Sequence, residues 1–117
     1  MALKLREMDE HVTYLQQLQE DDGPVALINE FNVPPEDTDR FIAVRADDAA
    51  FMKRQPGFIS TRLHRGTAGS TTFVTSPSGN QHQRSARHSD RVSSAARRRY
   101  PENAVATPHV SKKGFAA

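Results

Sequence analysis

Ala26-Leu27-Ile28-Asn29-Glu30-Phe31-Asn32-Val33 runs into Pro34-Pro35-Glu36-Asp37-Thr38-Asp39-Arg40, and a helical pattern continues through Phe41, Ile42, Ala46, Ala49 and Met52 to Pro56-Gly57. In the first part, Val25, Leu27, Asn29, Phe31 and Val33 share one side of a strand, and Ala26, Ile28, Glu30 and Asn32 share the other. Pro34-Pro35 cannot continue a strand but suits a helix start, and Glu36, Asp37 and Asp39 place negative charge where the helix dipole favours it. Helical spacing predicts a buried face of Phe41, Ile42, Ala49 and Met52 with the stem of Arg45 between them, and a second stripe of Val44 and Phe51. Downstream, Phe58–Arg65 and Ser70–Val74 read as strands joined by the Gly66-Thr67-Ala68-Gly69 turn. The order is β-α-β-β, the opening of a ferredoxin-like α+β fold that still needs one helix and one strand.

Outward from this block the chain is less regular. Residues 1–22 form an arm in which Met8, Val12, Leu15 and Leu18 could make one helical face able to pack on a partner. Residues 23–117 form the domain, with 75–99 Arg/Ser-rich and expected to be disordered, or helical only near Arg91–Arg99. Charge is uneven: residues 1–74 carry 8 Lys/Arg against 12 Asp/Glu, 75–100 carry 6 Arg against 1 Asp, and 101–117 carry 2 Lys against 1 Glu. The positive balance of the chain therefore comes from one segment and says nothing of the domain. Cysteine is absent, which excludes disulfides, thiolate metal sites and a cysteine nucleophile. No apolar run nears the roughly 20 residues of a membrane span, so a cytoplasmic protein without membrane partners is expected.

Few residues carry chemistry on their own. Asn29 interrupts an apolar strand, and a buried amide demands partners or can present its donors and acceptor to a ligand. His64, alone in a strand, could be a general base or haem ligand, or a surface histidine. His82, His88 and His109 lack the spacing of a metal site, and Ser85, His88 and Asp90 lack the surroundings of a catalytic triad. Arg84, Arg87, Arg91, Arg97, Arg98 and Arg99 could meet phosphates, yet no aromatic residue interleaves them to stack bases, so specific nucleic-acid binding is not expected.

From Gly23 to Asn29, through Ala49-Ala50-Phe51-Met52-Lys53-Arg54-Gln55-Pro56-Gly57-Phe58-Ile59-Ser60-Thr61, and on to Leu63-His64-Arg65 and Ser70–Val74, the chain resembles the antibiotic biosynthesis monooxygenase family. Tyr100-Pro101-Glu102-Asn103-Ala104-Val105-Ala106-Thr107-Pro108-His109-Val110 resembles that family's last strand. The resemblance implies a homodimer of ferredoxin-like subunits, each with a pocket between sheet and helices. It implies oxidation of quinol-like or polyketide aromatics by molecular oxygen with no cofactor; relatives of similar shape degrade haem. Asn29, His64 and Phe73 would line the pocket, and Thr75 stands where the family carries an Asn.

Between the matched parts the pattern breaks. The family continues after Phe73-Val74 with an Asn, then a Trp and an acid, whereas this chain reads Thr75-Ser76-Pro77-Ser78-Gly79-Asn80-Gln81. A neighbouring reading frame accounts for the abrupt borders: codons compatible with these residues, after one restored base, read Asn-Val-Ala-Val-Trp-Glu-Ser. The expectation is a second helix missing, a sheet face exposed and activity lost, which leaves a non-catalytic dimeric small-ligand or Arg-rich module as the alternative.

Overall fold

In the computed structural model of the 117-residue chain, the described residues are 3–20, 24–55, 61–77, 81–82, 87–88, 90–91 and 97–112. Strand β1 is Lys4–Leu5, helix α1 Tyr14–Gln19, strand β2 Pro24–Asn32 and helix α2 Thr38–Met52, entered through a 3-10 turn at Pro35–Asp37. Strands β3 (Thr61–Arg65), β4 (Thr72–Pro77), β5 (Gln81–His82) and β6 (Val105–Ser111) follow, with a second 3-10 turn at Arg97–Arg99 before the last. The sheet order is β1-β6-β2-β4-β3, with β5 paired to the start of β2. Only β1 runs parallel to its neighbour; β6, β2, β4 and β3 are antiparallel in the ferredoxin-like order. The fold is α+β and ferredoxin-like, as the residues led one to expect.

Register sets the two faces. Phe31 pairs with Phe73 and with Ala106, so these three residues share the face that α2 covers. There Phe41 is fully buried, with its ring centroid 5.1 Å from Phe31, 4.9 Å from Phe73 and 5.7 Å from Tyr100. Leu3, Val33 and Ala104 complete this cluster, and Val44 packs against it. The helix face differs from the expected one: Thr38, Phe41, Asp48 and Met52 are buried, whereas Ile42 and Phe51 are exposed. The buried set steps by three, seven and four along α2, all spacings that stay on one helical face, and Ile42, one residue past Phe41, is rotated about 100° away from it.

The β3–β4 connection behaves as read. Ala68 and Gly69 have positive φ, and a Cβ on Gly66 would lie 2.6 Å from Ser70, so a side chain there could not be accommodated without movement. Residues 58–60, assigned from sequence to β3, lie outside the described residues.

The arm departs from its expected form. Thr13 and Gln16 form a capping box that starts α1 at Tyr14, and the buried pair is Tyr14 and Leu18, packed with Val25. Met8, Val12 and Leu15 are exposed instead. β1 is joined to β6, and beyond it α1 covers the same edge: Val110 N–H donates to Gln17 Oε1 at 3.0 Å. Pro108, with no N–H to offer, sits between these two coverings, where a ladder could not continue.

Expected disorder across 75–99 fails at its start, because Thr75–Pro77 pairs with Thr61–Leu63 as the end of β4. Gln81–His82 is strand, and residues 87, 88, 90 and 91 are helical. The other residues between 78 and 96 lie outside the described set.

Candidate active site

A cavity of about 90 Å³ opens between the sheet and α2, enough for several waters. Leu27, Asn29 and Phe31 from β2, Thr75 from β4 and Ala106 and Pro108 from β6 form its floor. Arg45, Asp48, Ala49 and Met52 from α2 form its roof. The arm closes it with Leu3, Leu5 and Tyr14, and the later part of the chain with Asp90, Arg97 and Tyr100. Apolar walls with a few convergent polar groups are what a small-molecule site requires.

Two tyrosine–aspartate–arginine clusters supply those polar groups. Tyr100 donates its hydroxyl to Asp48 Oδ2 at 2.9 Å, and Arg45 Nη1 donates to the same oxygen at 3.1 Å. Tyr14 donates to Asp90 Oδ1 at 2.7 Å, and Arg97 Nη2 donates to that oxygen at 3.3 Å. Burial pushes the Tyr100 phenol up to about 12, with Arg45 opposing the shift, and burial together with Asp90 raises that of Tyr14 further. Both hydroxyls therefore stay protonated donors at neutral pH. Each guanidinium is matched by a carboxylate, so these four groups add no net charge to the cavity.

Asn29 and Thr75 are cross-strand partners and both reach the cavity. Thr75 is buried and its hydroxyl donates to the Asn29 carbonyl at 3.5 Å, while Asn29 Oδ1 is buried without a hydrogen-bond partner among the described residues. The other two expected pocket residues are elsewhere. Phe73 is packed in the aromatic core under Phe41, and Arg65 lies 5.4 Å over its ring. His64 is exposed on β3, opposite Val74, which alternation puts on the face away from the cavity. A role for His64 as base or ligand in this pocket is thereby removed.

Sequence reading missed the two clusters. Phe41, Asp48 and Met52 stand on one helical face at spacings of seven and four, which marks Asp48 as a buried acid and was the available signal. Tyr14, Asp90 and Arg97 meet only through tertiary packing. The arginine-rich segment is also put to structural use: Arg87 donates to the carbonyls of Leu18 and Glu20 at the end of α1, and Arg99 pairs with Asp47 at 2.9 Å. Asp90 serves Tyr14 and Arg97, while His88 meets Gln55, and Ser85 lies outside the described residues. Among the described residues, no group of three or more His, Asp or Glu side chains could hold a metal ion, and no helix is long and apolar enough to cross a membrane.

The family model described as antibiotic biosynthesis monooxygenase matches residues 24–76. That stretch is similar to the antibiotic biosynthesis monooxygenase family. Its match ends where the sequence departs from the family pattern, one residue before β4 ends. Two solved structures extend the likeness of fold beyond the matched stretch. A presumed monooxygenase from Shewanella loihica PV-4 is 24% identical with a TM-score of 0.63, covering 80% of this chain and 96% of its own. SnoaB, a cofactor-independent oxygenase from Streptomyces nogalater, is 21% identical with a TM-score of 0.59, at the same two coverages. Identity at this level establishes the fold alone. No curated protein matches the chain.

Proposed function

We propose that the protein is a cofactor-independent monooxygenase that oxidises a neutral quinol-like or polyketide aromatic with molecular oxygen. The observation that carries the reading is Asn29 Oδ1, a buried acceptor without a partner among the described residues, in the wall of a cavity lined by balanced charges. A neutral ligand bearing a hydroxyl satisfies that acceptor, whereas an unpaired ionic ligand would enter a site with no counter-charge to spare. The likeness of residues 24–76 to the antibiotic biosynthesis monooxygenase family, and the fold shared with SnoaB, a cofactor-independent oxygenase, support the same chemistry. When an activated aromatic CH2 reacts, one O2 supplies the oxygen of the new carbonyl and leaves with both hydrogens as one water. The protein's task is then to bind the substrate, take a proton from it and exclude water. A histidine is absent from the described cavity lining, so nothing there favours the haem-degrading alternative.

Oxygen uptake by chelator-treated protein, measured with a panel of quinols and anthrones, tests this reading. Turnover of an anthrone to its quinone and water, and of a quinol to a hydroxyquinone and water, is expected, and Asn29→Ala should lower kcat/KM about tenfold through the lost orienting hydrogen bond. A panel with no uptake above the uncatalysed rate sinks the proposal. The working form proposed is a cytoplasmic homodimer.

A further inference from the structure

Asp48 is 3% exposed, and an ionisable carboxylate that far from water is costly to keep unless something compensates. Arg45 and Tyr100 compensate it, but both bind Oδ2. Among the described residues no hydrogen bond falls on Oδ1. The residue lines the same cavity as Asn29 and sits on α2, in the turn before Met52, and its donor Tyr100 belongs to the aromatic core. Asp90, the cavity's other carboxylate, is the less enclosed of the two, with 21% of its side chain exposed against 4% for Asp48.

We propose that Asp48 is the catalytic residue that takes the proton from the substrate's hydroxyl, with Arg45 and Tyr100 as positioning residues; the proposal rests on the aromatic-oxidation reading above. In the step, the substrate O–H bond breaks, its proton bonds to Asp48 Oδ1, and the electron pair stays on the substrate oxygen. Total charge is unchanged. Before transfer Arg45 faces a carboxylate, and after it the same guanidinium faces a neutral acid and an anionic substrate oxygen, so the cavity keeps its balance. Tyr100 continues to donate to Oδ2 in either state and fixes which oxygen meets the ligand. The deprotonated substrate is the electron-rich species that molecular oxygen then oxidises.

The experiment compares wild type with Asp48→Asn on two probes under air: naphthoquinol, neutral at the assay pH, and nitrohydroquinone, already ionised there and used at saturating concentration because the charge-balanced cavity binds an anion more weakly. Asp47→Asn, at the exposed pair with Arg99, is the control and should behave as wild type. Asp48→Asn should lower kcat for naphthoquinol about 100-fold, while kcat for nitrohydroquinone falls less than about threefold. An equal loss on both probes would assign Asp48 a structural role and overturn the proposal. Should Asp48→Asn not fold, naphthoquinol bound to wild type under argon decides: a phenolate spectrum supports proton transfer, and a neutral phenol spectrum overturns it. Should wild type oxidise neither probe and no member of the wider panel, the aromatic-oxidation reading fails and takes this proposal with it. Turnover by wild type with an unaltered Asp48→Asn overturns this proposal alone.

Discussion

Tyr14 and Tyr100 are the only tyrosines of a chain without tryptophan, and both are buried with their hydroxyls given to aspartates. An unfolded chain releases a phenolic proton near pH 10, whereas folded Tyr100 keeps it to about 12 because burial disfavours the phenolate. Between those values the unfolded state binds fewer protons, so stability is untouched below about pH 10 and falls as pH rises toward about 12, by roughly 3 kcal/mol from this group. Alkaline titration followed by phenolate absorbance should therefore show ionisation arriving together with loss of helix signal. A phenolate band that grows near pH 10 while the fold persists would refute the burial argument. At this scale the site was only half legible. Asn29 and Thr75 could be found because a polar residue in an apolar strand is visible locally. His64 misled because its face depends on register with Val74, and Asp90 reaches Tyr14 only across the folded chain.

Helix α2 was foreseen in extent but not in rotation. Both Phe41 and Ile42 satisfy a loose helical pattern, and the sheet beneath chooses Phe41, which touches Phe31, Phe73 and Tyr100. Phe41→Ala should cost about 3–5 kcal/mol by leaving a cavity among those rings, while Ile42→Ser, at a site 38% exposed, should stay within about 0.5 kcal/mol. Urea melts of the two variants check this, and similar midpoints would mean the helix is turned differently. α1 shows the opposite case. Its start was written in Thr13-x-x-Gln16, a local signal overlooked because the apolar spacing of Met8, Val12 and Leu15 suggested an earlier and longer face. Those apolar residues lost to Tyr14 and Leu18, which are the two that can reach Val25.

For the whole molecule, the β-α-β-β order and the last strand were readable because each element carries its own periodicity, whereas the sheet order required β6 to be inserted between β1 and β2. The face turned away from α2 carries Ile28 and Val74, both half-buried, beside Glu30 and the exposed His64. If the protein works as a homodimer through this face, Val74→Arg should halve the sedimenting mass while the monomer keeps its helix signal. An unchanged mass would place any interface elsewhere.

The position of β6 also bears on how the protein is made. Synthesis proceeds at about 5–20 residues per second from the N-terminus, yet Val105–Ser111 is central to the sheet and holds seven register positions of β2. Until those residues leave the ribosome, β2 has one edge without its partner and β1 has no neighbour at all. The nascent chain therefore emerges with its first strands waiting for its last, and a transcript that stops before Val105 leaves the β2-β4-β3 sheet with an open edge at β2 and β1 unpaired.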